Sequence, residues 1–190
     1  MEQTAITYME LKHPANTEET LKLAVAAARE LGIAELVVAS TVGDTAMLLA
    51  DEIDCEGLHV TIVGHAFDQK APGTNPMSAE VRKHLKEKGF DVIHAAHALS
   101  GSERCLSGQF GGVYPVEVIA HTLRMFGQGT KVCVEIGAMA ADAGCVVSGQ
   151  PIVAVGGTGR GADTAMVLRP AVSSKVLQTK IDRILAKPLE

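Results

Sequence analysis

The chain is 190 residues long, 47% of them hydrophobic and 21% charged, with a formal net charge of −5 at pH 7. These values suit one domain over residues 1–190, and they argue against a nucleic-acid partner because neither a Lys/Arg block nor an aromatic stripe is present. No apolar run reaches the length of a membrane span and the first residues do not form a signal peptide, so we expect a cytoplasmic protein without a membrane partner.

The first half of the chain alternates helix and strand. Asn16 and Glu19 have the spacing of a capping box, which predicts a helix over 17–32 that ends at Gly32. The next predicted elements are a strand over 35–40, a helix over 44–53 and a strand over 58–64.

The second half continues this alternation. Ser78 predicts the start of a helix over 78–89, and a strand is predicted over 90–97. Residues 97–112 are expected to be part loop and part short helix. The remaining predictions are helices over 114–126 and 132–143, strands over 151–155 and 165–171, and a helix over 174–188, where a terminal strand is an open alternative.

Strands that alternate with helices predict an α/β fold with a doubly wound, mostly parallel sheet and helices on both faces. Ligands of such sheets bind beyond the carboxyl ends of the strands, where the strand order reverses. Four polar or Gly-rich segments directly follow predicted strands, and we expect them to meet at that edge: STVGDT (40–45), GHAF (64–67), HALSGSER (97–104) and GGTGRG (156–161).

The segment STVGDT leads from a predicted strand into a predicted helix. The N-terminus of a helix exposes unpaired N–H groups and the positive end of its dipole, so this segment is typical of a phosphate-binding loop. The plainer alternative is a capped helix start, with Thr41 or Asp44 as the cap. The predicted ligand-binding residues are Ser40, Thr41, Val42, Gly43, Asp44 and Thr45.

The segment GGTGRGADT is richer in glycine than a simple turn between paired strands requires. Glycine allows the backbone to approach a ligand closely, and the planar guanidinium of Arg160 suits a phosphate group. This segment is not a Walker motif or a standard dinucleotide fingerprint, because the next residues are strand-like. The predicted ligand-binding residues are Gly156, Gly157, Thr158, Gly159, Arg160, Gly161, Asp163 and Thr164.

Histidines and buried charges supply the other candidates. His94 and His97 form an HxxH pair, but two metal ligands on a strand prefer i, i+2 spacing, so we expect no metal site. His97 is the candidate catalytic acid or base beside the predicted cleft. Glu135 and Asp142 share a helical face, which we interpret as solvated rather than catalytic, and Lys131 is the expected partner of Glu135.

Several other side chains are expected to serve packing. Met125 and Met139 are interpreted as core residues, and the scattered cysteines as small buried hydrophobes. Cys105, in a polar segment of the rim, is the thiol to test for reactivity. The apolar composition also makes self-association plausible.

Two segments, LVVASTVGDTA and VAVGGTGRGADTAMVLRPA, resemble the C-terminal regulatory domain of pyruvate kinases. With HPANTEETLKLA, HALSGSER and FGGVYPVEVIAHTLRMFGQGTKVCVEI, they make nearly all of residues 13–171 similar to a small family of free-standing pyruvate kinase alpha/beta-domain-like proteins of archaea and bacteria. The resemblance implies the doubly wound fold and a phosphate-bearing ligand in the cleft, namely flavin mononucleotide (FMN). Pyruvate kinase activity is not expected, since that chemistry belongs to a large β/α barrel.

The chain departs from the kinase pattern at two positions of the first loop. Val42 stands where a serine is expected, and Asp44 places a negative charge beside the proposed phosphate site. Both changes disfavour fructose 1,6-bisphosphate as the ligand. The loop chemistry therefore predicts a phosphorylated ligand, and the resemblance implies that this ligand is FMN and the protein a flavoprotein. Three roles stay open: an enzyme that uses the flavin for redox chemistry, a non-catalytic module that senses a sugar phosphate or nucleotide, and a protein–protein scaffold.

Overall fold

The computed structural model describes residues 5–11, 13, 15–68 and 71–189. The strands in this part of the chain are β1 (Thr7–Met9), β2 (Glu35–Ala39), β3 (His59–His65), β4 (Asp91–Ala95), β5 (Ile152–Gly156), β6 (Thr164–Arg169) and β7 (Lys180–Pro188). The α-helices are α1 (Asn16–Leu31), α2 (Asp44–Glu52), α3 (Ala79–Glu87), α4 (Gly101–Phe110), α5 (Pro115–Arg124) and α6 (Gln128–Asp142).

These strands form a single sheet in the order β1-β7-β6-β5-β2-β3-β4. Strand β6 is antiparallel to both of its neighbours, and all other pairs are parallel. The prediction of a mostly parallel sheet is therefore confirmed. From β2 the chain builds outward through β3 and β4 and then returns to the other side of β2 as β5, so the strand order reverses between β2 and β5. That reversal is where an open α/β sheet forms a crevice.

Helices cover both faces of the sheet, because successive strand residues point to opposite sides. On β2, Leu36 and Val38 belong to the apolar cluster that packs with α1, α2 and α3. Val37, between them, belongs to the cluster on the other face, which includes Cys133 and Met139 of α6. The central strands are buried on both faces and are rich in valine and isoleucine, which is typical of parallel sheets.

Helix ends agree with the sequence in part. Gly32 ends α1 in the left-handed region at φ 65°, and the Ser78 side chain accepts a hydrogen bond from the Val81 N–H at 3.3 Å, so both predictions are confirmed. The predicted capping box at Asn16 is wrong. Ala15 occupies the N-cap, and the Asn16 amide instead donates to the Glu10 carbonyl at 2.8 Å.

The predicted C-terminal helix is wrong, and the alternative of a terminal strand is correct. A 3₁₀ helix covers Ser173–Gln178 and is followed by β7, which pairs with both β6 and β1. The apolar residues whose spacing favoured a helix do not share a buried face, since Leu177 is 80% exposed. Pairing with β7 also covers the side of β6 that faces away from β5, which a helix here would leave as an unpaired sheet edge.

Two other packing predictions also need correction. Met125 lies at the end of α5 and is 82% exposed, so it is not a core residue, whereas Met139 is buried as predicted. The interpretation of the cysteines as buried residues holds fully for Cys133 alone among the described residues. It is wrong for Cys105 on α4, which is exposed. Within the same described ranges, no helix is both long and apolar enough to cross a membrane.

Candidate functional site

A cleft of about 470 Å³ lies at the carboxyl edge of the parallel strands. All four segments that were predicted to meet at this edge contribute to its lining. Ser40 and Thr41 follow β2, His65 ends β3, His97 follows β4, and Arg160 follows β5. The prediction of a shared rim is confirmed, because parallel strands place the loops after their carboxyl ends side by side.

The first loop, residues 40–45, supplies the start of α2. The N-cap residue is Gly43, at φ 107°, so neither Thr41 nor Asp44 has the capping role of the plainer alternative. Ser40 Oγ instead accepts a hydrogen bond from the Ala46 N–H at 3.3 Å. Gly43 itself does not line the cleft. The residues of this loop that do so are Ser40, Thr41, Val42, Asp44 and Thr45.

The carboxylate of Asp44 is paired with the guanidinium of Arg160, at 2.9 Å between Oδ2 and Nη2. The pair joins the two predicted ligand-binding loops across the mouth of the cleft. Both side chains are exposed, at 72% for Asp44 and 84% for Arg160, so the pair is screened by water and contributes little stability. Asp44 is therefore not an unpaired charge beside the predicted ligand-binding loops.

The second loop, residues 157–163, is also the turn between the antiparallel strands β5 and β6. The side chain of Asp163 stabilises this turn through two hydrogen bonds. Its Oδ2 accepts from the Thr158 N–H at 2.9 Å, and its Oδ1 accepts from the Thr164 hydroxyl at 2.7 Å. The predicted residues Gly156, Thr158, Asp163 and Thr164 do not line the cleft. Those that do are Gly157, Gly159, Arg160 and Gly161.

The second loop is also tied to α1. The Thr17 hydroxyl accepts a hydrogen bond from the Ala162 N–H at 3.0 Å, and it lies where a side chain at Gly161 would be. With φ at 80°, Gly161 is thus required both by the backbone conformation and by the close approach of α1. This anchoring positions the neighbouring Arg160 at the cleft.

Helices α4, α5 and α6 form a third wall, outside the two loops that were predicted to bind the ligand, although the sequence already offers Arg124, Gln128 and Lys131 as groups that could bind an anion. Its polar residues are Arg104, Arg124, Gln128, Lys131 and Glu135, and its apolar residues are Val132, Ile136 and Met139. A signal for this wall existed in the sequence, since charged residues interrupt an otherwise apolar helix and must find partners if buried.

The cleft carries an excess of positive charge in a chain whose net charge is −5. Its lining includes the cations Arg104, Arg124, Lys131 and Arg160, and the carboxylates Asp44 and Glu135. A cleft with one sign of charge in excess raises the local concentration of ligands of the opposite sign. The arrangement favours an anionic ligand.

A buried hydrogen-bond network lies at the floor of the cleft, centred on Glu135. Glu135 Oε2 lies 2.5 Å from Lys131 Nζ and 2.8 Å from His97 Nδ1, and Oε1 accepts from the Leu99 N–H at 3.0 Å. The predicted Lys131–Glu135 pair is confirmed. The prediction that Glu135 lies on a solvated face is wrong, because its side chain is only 2% exposed, whereas Asp142 is exposed.

The ionisation of this network follows from its contacts. Burial disfavours the carboxylate form of Glu135, but the hydrogen bond from His97 and the charge of Lys131 outweigh it and lower the pKa of Glu135 to about 2. Burial lowers the pKa of Lys131, and Glu135 opposes this effect only in part. Glu135 is therefore an ionised carboxylate throughout the physiological range.

His94 has different surroundings from His97. Its Nδ1 lies 3.0 Å from the His65 carbonyl oxygen and 3.2 Å from the Asn75 amide nitrogen, and burial lowers its pKa. The two histidines of the HxxH pair thus contact separate partners. No group of three or more metal-ligating side chains is assembled within the described parts of the chain.

A sequence model of the pyruvate kinase alpha/beta domain matches residues 18–168. Since this match covers most of the chain, the chain belongs to that family. Among solved structures, the chain is similar to a pyruvate kinase from Cryptosporidium parvum, with 17% sequence identity and a TM-score of 0.41. The similarity covers 83% of this chain and 23% of that one, so the chain spans about a quarter of the length of that enzyme.

Proposed function

We propose that the cleft binds a phosphorylated small molecule and that this ligand is FMN. The observation that supports the proposal is the excess of positive charge around the N-terminus of α2, whose N-cap residue is a glycine, within an acidic protein. Helix N-termini bind phosphate through their free N–H groups and their dipole, so these features act in the same direction.

The first loop has the groups that a phosphate requires. The N-cap residue Gly43 has no side chain, and Ser40 Oγ accepts from the Ala46 N–H only. Ser40, Thr41 and Thr45 line the cleft, and their hydroxyls can donate to a ligand. Arg160 adds a cation from the second loop, and its high exposure allows it to exchange Asp44 for a ligand oxygen. In this proposal the first loop holds the phosphate and the second loop closes over the ligand.

The rest of the cleft suits the ring system of a flavin. A volume of about 470 Å³ lies within the ordinary range of small-molecule sites, roughly 300–1,000 Å³. The apolar side chains of Val132, Ile136 and Met139 offer packing surface, and Gln128 and Lys131 offer hydrogen-bond donors. Bound FMN would supply two-electron and one-electron redox chemistry, and the protein would supply binding, orientation and electrostatics.

The alternative is a regulatory module that senses a sugar phosphate or nucleotide without turnover. The Asp44–Arg160 pair is the observation that favours this alternative, because an anionic ligand that replaces Asp44 on Arg160 would break a link between the two loops. A ligand that binds better to the open arrangement would shift the population of loop conformations.

The test is to purify the protein without added cofactor, record its absorbance spectrum, and titrate it with FMN and riboflavin by calorimetry. We expect FMN to bind in preference to riboflavin, since the phosphate carries much of the binding free energy. Arg160→Ala should weaken FMN binding about tenfold, the equivalent of one charge-assisted hydrogen bond, and leave riboflavin unchanged.

Arg169→Ala is the matched control, because Arg169 forms a comparable Arg–Asp pair with Asp182 and does not line the cleft. Equal affinity for FMN and riboflavin would contradict the phosphate role. No flavin binding, together with saturable binding of fructose 1,6-bisphosphate or a nucleotide, would favour the sensing module.

A further inference from the structure

The ring of His97 connects the buried network to the cleft. The exposed fraction of its side chain is 28%, against 2% for Glu135 and 5% for Lys131, which contact each other beneath it. The edge of the ring packs against His65, with ring centroids 4.6 Å apart. His97 also lines the cleft. It is therefore the member of the network that a ligand meets first.

The contact with Glu135 determines the tautomer of His97. An ionised carboxylate only accepts hydrogen bonds, so Nδ1, at 2.8 Å from Oε2, must be the nitrogen that donates. In the neutral imidazole, Nε2 is then the nitrogen with the free electron pair. A buried carboxylate that fixes one ring nitrogen in this way prepares the other nitrogen for proton transfer.

Glu135 itself is unsuited to exchange protons with a ligand. Three donors, from His97, Lys131 and the Leu99 backbone, occupy its oxygens, and its side chain is almost fully buried. Lys131 supplies the counter-charge of Glu135. Other charged or titratable side chains around His97 are His65 on β3, Arg104 on α4 and Arg124 on α5, all of which line the same cleft.

We propose that His97 is the proton-transfer residue of the cleft, with Glu135 as its positioning residue and Lys131 as the counter-charge of Glu135. The proposal rests on the proposed function, in that an anionic ligand occupies the cleft. In the transfer, an N–H bond forms at Nε2 as an X–H bond of the ligand breaks, and its electron pair stays on the ligand. The reverse step returns the proton, so the transfer itself needs no further reactant.

The test is the protonation of the two ring nitrogens of His97, read from long-range ¹H–¹⁵N correlation spectra of the ligand-free protein. We expect the proton of the neutral ring on Nδ1 in the wild type. Glu135→Asp should retain this tautomer because it retains a carboxylate. Glu135→Gln should shift the population toward the Nε2-protonated form, the common form of a free imidazole.

A double variant, Lys131→Met with Glu135→Leu, removes the carboxylate without leaving a buried charge alone, and so serves if Glu135→Gln does not fold. It should lose the Nδ1-protonated preference as well. On saturation with FMN, we expect the Nε2 resonance of the wild type to shift more than the Nδ1 resonance, and this difference to be lost in the double variant.

A wild-type ring protonated on Nε2, or a tautomer that is the same in all variants, would overturn the positioning role. A shift confined to Nδ1 on FMN binding would overturn the proton-transfer role of Nε2. Failure of the proposed function can be told apart from these two results, because the tautomer is measured without ligand. If FMN does not bind but the ring is protonated on Nδ1, the proposed function fails while the positioning role of Glu135 stands.

Discussion

Replacing Glu135 with glutamine is expected to lower the free energy of unfolding by about 3–5 kcal/mol at pH 7. The substitution preserves shape but removes the charge that faces Lys131, whose side chain is only 5% exposed. The amide nitrogen of the new side chain would also meet donors, because both Lys131 and His97 donate to the same oxygen. Removing one partner of a buried ion pair is costly because it leaves the other charge buried and uncompensated.

The pKa of Glu135 supports a similar magnitude. A fall from the ordinary value of 4.5 to about 2 corresponds to about 3 kcal/mol of stability. Because the folded pKa lies below the unfolded one, this stability is present above about pH 5 and is lost as the pH falls toward 2. For a domain with a total stability of about 5–15 kcal/mol, such a loss is a large fraction.

The assay is urea denaturation at pH 7, followed by circular dichroism, for the wild type, Glu135→Gln and Glu18→Gln. Glu18 is the matched control, since it pairs with Lys22 at the same i, i+4 spacing on an exposed helix surface, with side chains 51% and 61% exposed. Its substitution should cost less than about 0.5 kcal/mol.

A loss below about 1 kcal/mol for Glu135→Gln, with an unchanged m value, would refute the reasoning. It would mean that water reaches the network or that Lys131 finds another partner. The double variant Lys131→Met with Glu135→Leu should recover part of the loss, because apolar side chains of similar size often replace a buried ion pair without net cost. Recovery is incomplete because the buried Leu99 N–H loses its acceptor, which costs about 1–3 kcal/mol.

Three further predictions concern other parts of the molecule. Gly43→Ala should cost about 3 kcal/mol in urea denaturation, because its Cβ would lie 2.5 Å from Val81 Cγ1 and its φ is 107°; a loss under about 1 kcal/mol would show that the loop relaxes freely. Ser78→Ala should cost about 1 kcal/mol by loss of the N-cap bond, whereas Ser78→Asp should retain it. The hydrogen bond to Glu35 raises the pKa of His59, so its stabilisation is present below pH 6.5 and is lost as the pH rises through the folded pKa. His59→Gln should therefore reduce the difference in urea midpoint between about pH 6 and pH 8, and an unchanged difference would contradict this assignment.

From α1 to β6, the order of strands and helices and the location of the cleft were predictable from the sequence because they depend on local patterns. Apolar runs such as ELVVA and PIVAV mark buried strands, and the polar segments after them must lie at the same edge of a parallel sheet. Gly32 and Ser78 acted as helix signals through their own backbone and side-chain chemistry, without help from distant residues.

The roles of individual side chains were less predictable where two local interpretations competed. Asn16 has the spacing of a capping residue, but the nearby Glu10 carbonyl offers its amide another acceptor. Residues 174–188 carry apolar side chains at helical spacing, but from Lys180 onward the chain pairs as β7 between β6 and β1, and this pairing satisfies its backbone groups within the sheet. In both places, a contact with residues outside the predicted helix determined the conformation.

Only the tertiary structure decided the charge arrangement of the candidate site. Arg160 pairs with Asp44 across 116 positions of sequence, and His97 reaches Glu135 across 38. Residue type and spacing identified these side chains as candidates, but the state of each charge depends on which partner it contacts and how much water remains around it. Both are properties of the packed molecule, which is why Glu135 was assigned to a solvated face and lies instead at the floor of the cleft, beneath His97.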